Sequence, residues 1–186
     1  MPKNSEASER FQSIGRAFLK RASIHSLLAE EEQLAGEKYL ALATRLDAAE
    51  TAAEVNAVCE ELKALSAETC ARLARIGDLL PDLPETPPPG RIVNMNYTPD
   101  PTSDYANFLR GLTRTYSAES AMLSADAVET ERLADRLQVL AGQLRTDAPT
   151  PLEVLDEVTA LLEANTTRIR TGTKVRSALW NLPVES

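Results

Sequence analysis

The stretch PDLPETPPPGRIVNMNYTPDPTS, residues 81–103, carries seven prolines and a glycine. Proline has no amide hydrogen to donate and its ring clashes with the preceding turn, so no helix passes through this stretch. On either side the sequence is rich in Ala and Leu with helical spacing, and the proline-rich segment therefore divides an all-α chain into two halves.

Upstream, a helix is expected over about 5–46, with Phe11, Ile14, Phe18, Leu28, Ala35, Tyr39, Leu42 and Leu46 in one heptad frame. Thr51-Ala52-Ala53-Glu54 then reads as a capping box, in which a hydroxyl and a carboxylate satisfy orphan amides at a helix start. The second helix follows over 52–80, its stripe being Val55, Val58, Cys59, Leu62, Leu65, Thr69, Leu73, Ile76 and Leu80. Downstream, 104–145 holds the clearest period in the chain: Tyr105, Leu109, Leu112, Tyr116, Leu123, Leu133, Leu137, Leu140 and Leu144. Thr150-Pro151-Leu152-Glu153 is a second capping box, with proline where its missing amide does no harm. It opens a fourth helix over 151–179, through Leu155, Val158, Leu162 and Ile169, before a tail at 180–186.

Connections of about five residues between the first and second helices, and between the third and fourth, make each pair an antiparallel hairpin. The proline-rich segment is far longer than a bundle turn needs. At about 3.3 Å per residue it spans the length of the second helix, so it reads as a crossover. The fold expected is a single-domain four-helix bundle, two antiparallel hairpins joined by a long Pro-rich crossover in ferritin-like topology. A plain up-down-up-down bundle is the alternative.

Composition agrees with packed helices and bounds the function. The chain has 186 residues, enough for one core without disulfide or metal staples, and only 4% of them are aromatic. A formal net charge of −8 opposes a nucleic-acid partner, which calls for a basic face. The N-terminus MPKNSEASER lacks the apolar run of a signal peptide, and no segment reads as a membrane span, so a cytoplasmic protein is expected. Cys59 and Cys70 lie about 16 Å apart along one helix, too far to bond, and read as two core thiols. Gly-rich phosphate loops, CxxC pairs, HExxH and GxSxG are absent from the sequence.

Polar residues inside the heptad frames are the informative positions. The first helix places His25 and Glu32 in its core series, with Arg21 in the companion series. The third places Glu119 and Asp126, and the series of the fourth ends on Arg176. Counting rises from the turns puts Glu32 opposite Glu119 and, in the crossover topology alone, His25 opposite Asp126 one heptad further along. Facing carboxylates in a core need a cation between them. Iron or manganese suits a set of Glu32, Glu119, His25 and Asp126. The structural alternative is pairing of the two glutamates with Arg21 or Arg176, or helix curvature that carries them to the surface.

The segment Glu32-Gln33-Leu34-Ala35-Gly36-Glu37-Lys38-Tyr39, continued by Leu40-Ala41-Leu42-Ala43, resembles the first helix of rubrerythrin-type ferritin-like proteins. The resemblance implies a metal-ligand role for Glu32. The end of the second helix, Cys70-Ala71-Arg72-Leu73, is similar as well, but the family's Glu-x-x-His positions hold Ala67 and Cys70. The fourth helix offers Glu163-Ala164-Asn165-Thr166, again without the histidine. A carboxylate-bridged two-iron site of the usual kind is therefore not expected.

An interaction role has separate support. The first helix outreaches the second, leaving Phe11, Ile14 and Phe18 to be covered by the connector, by a second subunit or by another protein partner. Trp180, the only tryptophan, reads as a further anchor. The function expected is a non-catalytic helical bundle acting in assembly, scaffolding or regulation, as an oligomer. A ferritin-like metal protein with a non-standard carboxylate and histidine site is the alternative.

Overall fold

The computed structural model describes residues 2–79, 104–146 and 151–180. The connector, Thr150 of the second capping box, the Trp180 side chain and the tail at 181–186 lie outside the described residues. Four helices form an all-α bundle: α1 (Pro2–Asp47), α2 (Ala52–Gly77), α3 (Asp104–Gln143) and α4 (Pro151–Trp180). Among the described residues there is no strand, and no helix is long and apolar enough to cross a membrane. The boundaries follow the sequence closely. The main difference is that α2 stops at Gly77 rather than Leu80, with the Asp78 amide donating to the carbonyls of Ala74 and Ile76.

The first capping box forms as read. The Glu54 amide donates to Thr51 Oγ1 at 3.3 Å, and Glu54 Oε2 accepts from the Thr51 and Glu50 amides at 3.0 Å each. Such a cap contributes about 1 kcal/mol to the start of α2.

The spine of the molecule is the antiparallel pair α1 and α3, packed along most of their length. A heptad of small residues makes the close approach possible. On α1 it runs Ser8, Gly15, Ala22, Ala29, Gly36 and Ala43, and on α3 Ala106, Thr113, Ser120, Ala127, Ala134 and Ala141. With so little side chain between them, hydroxyls reach across to the opposite backbone. Ser8 donates to the Ala141 carbonyl and Ser120 to the Ala29 carbonyl, both at 2.7 Å, and Thr113 donates to the Gly36 carbonyl at 3.1 Å. A Cβ built on Gly36 would stand 3.4 Å from the Thr113 carbonyl oxygen and from Tyr116 Cβ, an ordinary contact with nothing to spare. Gly36→Ala is accordingly expected to stay within about 1 kcal/mol of the parent protein, the helix propensity gained offsetting the crowding. Gly36→Leu is expected to lose about 2 kcal/mol by prying the helices apart. Urea unfolding followed by circular dichroism distinguishes the pair, and equal losses would show that the seam is not closely packed.

Because α1 is antiparallel to α3 and each hairpin is itself antiparallel, α2 and α3 run in the same direction. This order of directions is compatible with a ferritin-like fold and requires the crossover. The two shorter helices pack at different ends of the spine. Val58, Leu65 and Leu73 of α2 join Leu28, Tyr39 and Leu42 of α1 and Leu109, Tyr116 and Leu123 of α3 in one apolar cluster. Tyr39 and Tyr116 stack there with ring centroids 5.3 Å apart, an offset aromatic pair of the kind that adds about 1 kcal/mol. Val154 and Val158 of α4 join Phe11 and Phe18 of α1 and Leu133, Leu137, Leu140 and Leu144 of α3 in a second cluster.

That second cluster corrects two expectations. Phe11 and Phe18 are buried and Ile14 is half-buried, all three covered by α3 and α4, so they present no free face to a second subunit. In α4 the inward series is Val154, Val158 and Asn165, while Leu155 is exposed. The two neighbouring aliphatics are both plausible stripe members by period, and the inward series starts one residue earlier than Leu155. The cysteines are also less interior than read, both free and half-buried.

Candidate functional site

Between the two apolar clusters the spine carries a polar layer. On α1 it consists of Arg21 and His25, on α3 of Asp126 and Thr130, and on α4 of Asn165 and Arg168. Spacing of four residues on α1 and α3 and of three on α4 puts each pair one helical turn apart on one face. Asp126 is the hub. His25 Nδ1 lies 2.5 Å from Asp126 Oδ2. Arg168 takes the other oxygen through Nη1, which also approaches the Asp126 carbonyl at 3.3 Å. Its Nη2 donates to Thr130 Oγ1 at 2.9 Å and to Asn165 Oδ1 at 2.7 Å. Burial pushes the Asp126 carboxyl up. The hydrogen bond and charge of His25, with the charges of Arg168 and Arg21, outweigh that effect and hold it below its ordinary value.

The expected juxtaposition of His25 with Asp126 is thus present, but Asp126's second partner is Arg168, which the frame did not nominate. Arginine reaches the core from the edge of a heptad, its aliphatic stem lying along the stripe, so a count of inward positions passes over it. Arg21 and Arg176 do not sit on the level of Glu32 and Glu119, as the structural alternative required. Both line a cleft beside His25 and Asp126.

Glu32 and Glu119 are interior, 1% and 8% exposed, and lie at corresponding heights of the spine, between the Ala29–Ser120 and Gly36–Thr113 contacts. Next to Glu32, Glu31 pairs with Arg72 of α2 at 3.0 Å, and Arg72 also holds Glu68 at 2.8 Å. Arg72 likewise escaped the frame. Glu32 with Glu119, and His25 with Asp126, stand on two levels of the spine one heptad apart. Among the described residues no group of three or more His, Cys, Asp or Glu side chains is placed to hold a metal.

Chemically, an aspartate with one oxygen on a guanidinium and the other on an imidazole nitrogen is a poor base, and its partners are positioned by it rather than activated. The layer fixes α1, α3 and α4 in register. Compared with known protein families, curated proteins and solved structures, the chain matches none.

Proposed function

We propose that this chain is a non-catalytic helical-bundle protein acting in assembly, scaffolding or regulation, and that it works as an oligomer. One observation supports the reading above others: large apolar side chains stand exposed on α1 at Leu27, Leu34 and Leu40, and Val128 of α3 lies across a groove from Leu34. Ala29, Ser120 and Ser124 line the same groove. Their small side chains leave a shallow trough between two long helices, the shape into which a further helix packs. Leu27 and Leu34, one heptad apart, supply the ridge that would enter the equivalent trough of a second copy. Kinship with rubrerythrin-type proteins belongs to the same reading, on the segment from Glu32 to Ala43 and the helix directions, as a bundle lacking the family's Glu-x-x-His pairs.

Size exclusion with light scattering, run over a broad dilution series, tests the oligomer. The parent protein is expected to show at least a dimer mass at its highest concentration, and the Leu27→Glu/Leu34→Glu variant the mass of one chain with unchanged helicity. A parent protein that stays monomeric throughout would overturn the oligomeric reading.

A further inference from the structure

Along α4 the burial changes beyond Asn165. Val154, Val158 and Asn165 are buried, whereas Ile169, Gly172, Thr173 and Arg176 on the same side are only half-buried. The last turns of α4 stand off from the spine, and a cleft of about 270 Å³ opens beneath them, floored by Met122 and Ala125 of α3. Small residues create the space: Ala125 in the floor, Gly172 and Thr173 in the α4 wall.

The charge lining that cleft is unbalanced in a protein whose total charge is −8. Arg21, Arg168 and Arg176 all line it. Arg168 is engaged by Asp126, Thr130 and Asn165, and Asp126 has no oxygen left over. Glu129, also on the rim, pairs with Arg132 outside. Arg21 and Arg176 make no ion pair among the described residues. Arg21 is the more telling of the two, since its side chain is only 7% exposed and its Nε is buried with no hydrogen-bond partner. A buried guanidinium donor left unmatched is unfavourable by itself and strongly favourable once an oxyanion accepts from it. Burial holds Arg21 below its ordinary value. The charge of Asp126 opposes this, and those of Arg168 and Arg176 add to it.

We propose that this cleft is a binding site for a small oxyanion, a carboxylate or phosphate, held between Arg21 of α1 and Arg176 of α4. The apolar floor of Met122 and the wall of Ile169 accommodate a short hydrocarbon body attached to the anionic group. Occupancy ties the loosely covered end of α4 to the spine, because the two arginines that grip the anion belong to different helices. The site is independent of the groove at Leu34, and it stands or falls separately from the oligomer.

Isothermal titration calorimetry on the full chain at constant ionic strength, with inorganic phosphate and with benzoate as separate probes, tests the site. Saturable binding of at least one probe is expected, and which one responds identifies the oxyanion. Arg21→Gln and Arg176→Gln are expected to weaken that binding at least about tenfold, while Arg45→Gln, at the α1–α2 end of the spine where Arg45 pairs with Glu61, leaves it unchanged. Arg21→Gln also separates a ligand role from a structural one. Removing an unmatched buried charge should leave the ligand-free protein as stable as the parent or more so, whereas a structural arginine would leave it less stable. Hydrogen exchange should slow over 169–179 when the responding probe is added. Absence of saturable binding of both probes would overturn the proposal, and so would equal binding by Arg21→Gln and the parent protein.

Discussion

Leu137→Ala is expected to lower the unfolding free energy by about 3 kcal/mol, within the range for truncating a fully buried leucine. Leu137 is fully buried at the point where α1, α3 and α4 meet, packed with Phe11, Phe18 and Val154 in the cluster at the α4 end. Its Cβ would stand 3.8 Å from a Cβ placed on Gly15. The neighbours cannot slide in to fill the space, since the α1–α3 distance here is set by backbone contact through Gly15 and Ala134 rather than by compressible side chains. A cavity that cannot collapse falls toward the costly end of the series. Urea unfolding measured by far-UV circular dichroism reads the loss. A change under about 1 kcal/mol would mean that the seam relaxes and that the close approach of the two helices is not maintained by packing.

The same substitution examines how the two ends of the spine communicate. The α2 cluster and the α4 cluster share only the continuous helices α1 and α3, with the polar layer between them. If these two helices transmit order, tyrosine fluorescence, dominated at the far end by the stacked Tyr39 and Tyr116, will fall in the same transition as the circular dichroism. A second, later fluorescence transition would identify the ends as separate cooperative units.

The parts of this architecture that were legible in the sequence are those governed by period and by chain length. Proline density located the break. Short turns fixed the hairpins, and rises counted from those turns brought His25 opposite Asp126. Harder to read was the seam itself, because small residues such as alanine, glycine and serine stand out little beside the leucines of an apolar stripe. A search for recurring small residues at heptad spacing, Ser8 to Ala43 and Ala106 to Ala141, would have found the α1–α3 interface directly. Arg168 and Arg72 were missed for a different reason. Their Cα positions flank the core stripe, and only the length of the side chain carries the guanidinium inward. The cover over Phe11 and Phe18 was hidden because helix lengths were compared within one hairpin, whereas α3 and α4 of the other hairpin bury them.

Asp126→Ala is expected to destabilise the bundle by about 3 kcal/mol, the lower end of the range for breaking a buried pair because the Asp126 side chain remains 23% exposed. The loss exceeds that of a hydrogen bond because of what remains. His25 and Arg168 lose their shared acceptor, and Arg21 loses the one nearby charge that favours its protonated form. Asp126→Asn retains an acceptor for Arg168 but no charge, and should fall between the alanine variant and the parent. Acid provides an independent check. The folded-state value of Asp126 lies below the unfolded value of about 3.9, so the stabilisation from its charge is fully present above that pH. It is lost as pH falls through the folded value. The gap between parent and Asp126→Asn, measured by urea unfolding, should therefore close as pH falls below about 4. A gap that instead widened below about pH 4 would mean that Asp126 is protonated more readily in the fold than in the unfolded chain, and the cationic surroundings assigned to it would be wrong.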